Sequence, residues 1–137
     1  MQGSFLRTID LDQTGQRLFG IPQRIAVSHD GMQLHVADKV KGVLTVDRAG
    51  FLLAKYSDLD DACGICTITG GDLLVSGLAS DNVIHLEIPD VKVDDVLLKR
   101  DDVAGPASLC FDEAYSKLII CTVNSNTISM VDLLFNP

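Results

Sequence analysis

The chain contains no tryptophan, and aromatic residues make up only 5 % of its 137 residues. A core must therefore be assembled from aliphatic side chains, which a sequence 47 % hydrophobic supplies. Proline is scarce at 4 residues, and no low-complexity stretch marks a linker, so the length fits one domain. Long apolar runs are missing as well. Nothing approaches the roughly 20 residues of a membrane-crossing helix. Met1-Gln2-Gly3-Ser4 leads into a strand-like FLRTI rather than a secretory leader. A cytoplasmic chain without a membrane partner is the expectation. Basic residues are also short, at 11 against 19 acidic ones, for a formal charge of −8. A general binder of phosphate backbones shows the opposite sign. The four cysteines are expected as reduced thiols rather than a disulfide framework.

What is present is a pattern of short apolar runs. Between residues 20 and 56, IAV, LHVA, VLTV and FLLA are separated by HDG, DKVKG and DRAG. Runs rich in Val, Ile and Leu between Gly, Asp and Lys read as strands joined by tight turns, here near 24–28, 33–38, 42–47 and 51–56. Asp30-Gly31 is a hairpin signal, because such turns need residues that tolerate positive φ. After the acidic connector SDLDDA the pattern returns as ICTI, GGDLLVSG, NVIHLEI and DVLLK, with the last turn lengthened to PDVKVDD. After Asp101-Asp102 it returns once more as ASLCF, KLIICT and TISMVD.

The three units align position by position. Ile25, Ile65 and Leu109 fall on the first strand, Leu34, Leu73 and Leu118 on the second, and Val43, Val83 and Ile128 on the third. A period of about 42 residues with four strands per unit predicts a β-propeller, in which each small sheet is a blade stacked on its neighbours. Middle strands that are almost wholly apolar agree with sheets covered on both faces.

The first full blade shows Pro22-Gln23-Arg24-Ile25-Ala26-Val27, Asp30-Gly31, Val36-Ala37-Asp38, Val46-Asp47 and Gly50-Phe51-Leu52. In this it resembles the NHL-repeat propellers. The second blade departs from the pattern with Ala62 for the proline and Gly77 for the aspartate. The third keeps Pro106 and Val131-Asp132 but has Thr122 in place of the aspartate. The expected organisation is a lone outer strand at 3–10, a blade at 20–56, a blade at 62–99 and an incomplete blade at 105–133. That amounts to three blades, whereas propellers close with four to eight. A homodimer completing a six-bladed ring, or the missing part of a longer chain, is therefore expected.

Candidate chemistry is sparse. Cys63-Gly64-Ile65-Cys66 has the form of a CxxC pair and, with Cys110 and Cys121, raises a four-thiolate zinc site. The repeat favours small-residue filler instead, since Cys66 and Cys110 align with Ala26 and Cys121 aligns with Ala37 and Ser76. No metal or other cofactor is expected. His29, His35 and His85 share no ligand-like spacing, and no GxSxG, HExxH, P-loop or GxGxxG occurs. The first strands offer no repeated carboxylate of the kind that metal-dependent propeller hydrolases and lyases gather at their axis. The chain is accordingly read as not an enzyme.

Loops carry binding in such scaffolds. One face should gather the connections between blades and those between second and third strands. It holds the candidate binding residues Arg24, Lys39, Lys41, Asp81, Asn82, Asn124 and Asn126. The expected function is a protein-interaction module. Its resemblance to the NHL domains of tripartite-motif proteins implies substrate recruitment for ubiquitination. RNA, which some NHL propellers bind, is the alternative partner, disfavoured by the net charge. A metal-dependent hydrolase or lyase is the third possibility.

Overall fold

Alternating aliphatic residues between Gly- and Asp-rich turns fold here as short antiparallel strands. The computed structural model describes residues 1–88 and 92–133, without the side chains of residues 92, 94 and 95. The first sheet is β1 (Pro22–Val27), β2 (Gln33–Asp38), β3 (Gly42–Asp47) and β4 (Leu52–Tyr56). The second is β5 (Ala62–Thr67), β6 (Leu73–Gly77), β7 (Asn82–Glu87) and β8 (Lys92–Leu98). The third is β9 (Pro106–Asp112), β10 (Lys117–Thr122) and β11 (Ile128–Asp132). Each sheet is a simple meander in sequence order, and every pairing is antiparallel. The hairpin at Asp30-Gly31 forms as the turn chemistry requires. Gly31 takes φ +76° and donates to the Ser28 carbonyl, while the Asp30 carboxylate accepts from the Met32 N–H.

The innermost strands β1, β5 and β9 follow one another as neighbours, and the sheets stack face to face. Between blades one and two lie Ala37 and Val43 on one side and Ile65, Leu73, Val75 and Ile84 on the other. Between blades two and three, Leu74 and Val83 meet Leu109, Leu118 and Ile120. Residues on successive positions of β6 thus serve two different cores: Leu73 and Val75 face back, Leu74 faces forward. That is why the middle strands read as continuous apolar runs.

Two expectations need correction. Residues 3–10 form no strand. The blade with only three strands, to which such a segment would add a fourth, lies at the far end of the arc. The N-terminal segment instead runs along the β3–β4 side of blade one. Ile9 rests on Gly50, Arg7 donates to the Arg48 carbonyl, and Gln13 brackets Leu52 by donating to its carbonyl and accepting from its N–H. A bridge between Leu11 and Arg17 closes this segment into a small loop. In blade two the lengthened turn PDVKVDD is shorter than expected, because β8 begins at Lys92; residues 89–91 lie outside the described residues.

Candidate functional site

The loop face is built on one hydrogen bond repeated in every blade. The N–H of Lys39 donates to the Ile21 carbonyl at 2.8 Å, that of Leu78 to Asp61 at 2.9 Å, and that of Val123 to Gly105 at 2.8 Å. Each ties the turn between second and third strands to the segment entering the same blade. In blade one a buried carboxylate strengthens the tie. Asp38, fully buried, accepts from the N–H groups of Gly20, Ile21, Val40 and Lys41 at 2.9–3.1 Å. Four donors compensate a charge that would otherwise be costly to bury. Where blade three has Thr122 in place of that aspartate, the carboxylate of Asp81 reaches over from blade two and accepts from the Gly105 N–H at 2.7 Å.

This geometry sorts the seven candidate residues. Lys41 donates through Nζ to the carbonyls of Arg17 and Leu18, so its cation fastens the N-terminal segment. Asp81, at φ +52°, divides its carboxylate between Gly105 and the Arg100 guanidinium. Asn82 accepts from the Ser80 hydroxyl inside its own turn. Arg24 sits exposed near the loop-face end of β1, its guanidinium donating to the Gln23 carbonyl. Lys39, Asn124 and Asn126 are exposed, with Asn124 at φ +58° in the last turn. The candidates therefore lie toward one face, Arg24 at the end of β1 and the other six in three separate turns along the arc. Charge-based reasoning missed the apolar residues between them. Val40 and Val123, in the stapled turns, are 67 % and 50 % exposed, and Ile21, in the entering segment that the first of these turns is tied to, is 51 % exposed. The signal was available, since each lies within three residues of a turn Gly or Asn.

The opposite face holds a cleft of about 280 Å³ between blades one and two, lined by Ser28, His29, Asp30, Gln33, His35 and Gly70 among others. His35 is fully buried; its Nδ1 meets the Thr45 hydroxyl at 2.8 Å, and its Nε2 has no partner. Burial holds its pKa below the ordinary histidine value, with the nearby Asp30 opposing that shift. The four thiols are free. Burial, reinforced by the neighbouring Cys110, pushes the Cys66 thiol up to about 12, so it is protonated at neutral pH and a poor nucleophile. Among the described residues no group of three or more His, Cys, Asp or Glu stands close enough to hold a metal ion.

No family model matches the chain, and no curated protein resembles it in sequence. Solved structures do resemble it. An auxiliary nutrient binding protein from Bacteroides thetaiotaomicron has a TM-score of 0.65 at 16 % identity, over 82 % of this chain and 29 % of its own. A luciferin-regenerating enzyme has 0.62 at 14 %, over 87 % and 47 %. A gluconolactonase from Xanthomonas campestris has 0.55 at 21 %, over 78 % and 37 %. The fold is that of a β-propeller. The chain spans less than half the length of each of these proteins. Two of the three carry enzyme names, which corrects the reading of this chain as not an enzyme. That reading rested on missing contiguous motifs and on the lack of a repeated carboxylate along the first strands, and neither decides against the chemistry of a propeller, which can bring single residues of different blades together. Among the described residues no helix is long and apolar enough to cross a membrane.

Proposed function

We propose that the chain is a protein-binding module of NHL type that meets its partner with the stapled loop face. The observation that supports this most directly is the set of exposed apolar residues, Ile21, Val40 and Val123, held on hydrogen-bonded backbone. They lie beside cations in blade one (Arg24, Lys39) and exposed carboxylates of the connectors (Asp58, Asp60, Asp101). Apolar contacts ringed by charge suit a protein surface, where the apolar centre supplies affinity and the polar rim selectivity. The resemblance to tripartite-motif proteins makes recruitment of a protein for ubiquitination the setting. Proximity labelling in cells tests this with three proteins: the unaltered chain, a Val40→Asp/Val123→Asp variant, and a Tyr115→Ala control on the opposite face. Neighbours lost with the double variant and retained with the control support the reading. Equal labelling by all three overturns it.

A second reading follows from the enzyme-named neighbours: hydrolysis of a lactone, as the name gluconolactonase indicates for one of them. Acid release from gluconolactone by the purified chain, above the spontaneous rate, would support it. A rate equal to the protein-free control would refute it.

A further inference from the structure

Five positions face the following blade in every repeat. In blade one they hold Ala26, His35, Ala37, Val43 and Thr45, all buried or half-buried against blade two. In blade two they hold Cys66, Leu74, Ser76, Val83 and His85, again buried or half-buried. In blade three they hold Cys110, Ile119, Cys121, Ile128 and Met130, placed on one face by the pairings of Ile119 with Cys110 and Met130, and of Cys121 with Ile128. There four of the five stand open and Ile119 is half-buried: Ile128 is 60 % and Met130 66 % exposed, and both cysteines are exposed. The residues at these positions are apolar or small there too.

At the other end of the arc the complementary face is open in part. Ile25 and Val27 are 61 % and 46 % exposed, whereas Ile65 and Leu109, which take the place of Ile25 in the next two blades, are buried against a preceding blade. The outer half of that same face is already closed, with Val36, Leu44 and Val46 buried. The N-terminal segment runs along that side, at Gly50 and Leu52, where the outer strand of a preceding blade belongs.

We propose that a second copy of this chain covers both faces, blade three of each copy packing on blade one of the other to close a six-bladed ring. The repeat itself supplies the complementarity, because blades one and two show how the forward face of one blade fits the backward face of the next. Two copies give six blades, within the four to eight that propellers close with, and three would give nine. The match to the luciferin-regenerating enzyme covers 87 % of this chain and 47 % of that one, so two arcs approximate its length. In the ring, residues 3–10 of one copy lie beside the exposed edge of β11 in the other, where they can pair as its fourth strand. This would bury Phe5 and Leu6, now 86 % and 89 % exposed.

Light scattering on the purified chain at micromolar concentration tests the proposal. The expected mass is twice 14.8 kDa. Met130→Asp and Ile25→Asp each alter an exposed side chain, so each variant should remain folded by circular dichroism yet run at the single mass. Mixing the two variants should restore the double mass, because the unaltered blade three of one fits the unaltered blade one of the other. A monomeric parent chain overturns the proposal, as does an open polymer. An Ile25→Asp variant that stays dimeric also overturns it, since that would mean blade three pairs with itself.

Discussion

At position 35 blades two and three carry Leu74 and Ile119, and blade one carries a histidine with no exposure at all. Burial lowers its pKa below 6.5, so the folded protein holds fewer protons on this ring than the unfolded chain does. The sign of the linkage follows: the contribution is fully present above the unfolded value of 6.5 and is lost as pH falls below it toward the folded one. Urea unfolding at successive pH values should show this loss in the parent chain and a smaller one in His35→Leu. Identical pH dependence in both would refute it. Asp38 acts at the same scale through hydrogen bonds rather than titration. Asp38→Ala leaves four N–H donors without their acceptor and should cost about 3 kcal/mol. Asp38→Asn keeps Oδ1 for Ile21, Val40 and Lys41 but turns an amide toward the Gly20 N–H, and should cost about half as much. Equal losses would show that the charge, not the acceptor geometry, holds the turn.

At the scale of the strand and turn, local chemistry was enough to read the fold, because each blade is made of neighbours in sequence. Turn residues such as Asp30-Gly31 and the period of the apolar runs set most strands within a residue or two of where they lie, while β5 and β8 begin earlier, at Ala62 and Lys92. The strand expected at 3–10 failed because pairing depends on an edge that local sequence does not reveal. The loop face was legible as a face but not as a site. Nothing about Lys41 or Asp81 in sequence says that their charges are taken up by backbone groups of a segment 23 or 24 residues away. Two glycines separate backbone conformation from packing at this scale. Gly42 and Gly70 share φ +90°, but a Cβ at Gly42 would lie 2.1 Å from the Tyr56 carbonyl oxygen of β4, whereas at Gly70 nothing lies within 4 Å. Gly70→Ala should therefore cost about 1 kcal/mol from conformation alone. Gly42→Ala must also push β4 off β3, and should cost about 3 kcal/mol or more by thermal or urea unfolding. Similar losses would mean that β4 yields freely.

Over the whole molecule the charge is −8, and its distribution decides between the two macromolecules that the loop face could meet. Exposed Arg17, Arg24 and Lys39 form a positive sector in blade one, where Lys41 spends its ammonium on the Arg17 and Leu18 carbonyls, and Lys99 and Arg100 lie apart on the second connector, Arg100 paired with Asp81. Asp58, Asp60 and Asp101 stand exposed on the connectors of the same face. A polyanion approaching it meets a repulsive long-range field before it reaches these scattered cations. RNA binding also draws its affinity from counterions released as phosphates are neutralised, so a few cations scattered among carboxylates support little at physiological salt. Closing the ring with a second copy repeats the positive sector on the far side, with acidic connectors between, and creates no continuous basic track. The expected outcome is no gel shift of single-stranded RNA at micromolar protein and physiological salt. A clear shift that weakens steeply with added salt and disappears in Arg24→Glu/Lys39→Glu would refute the protein-binding reading and place RNA on this face.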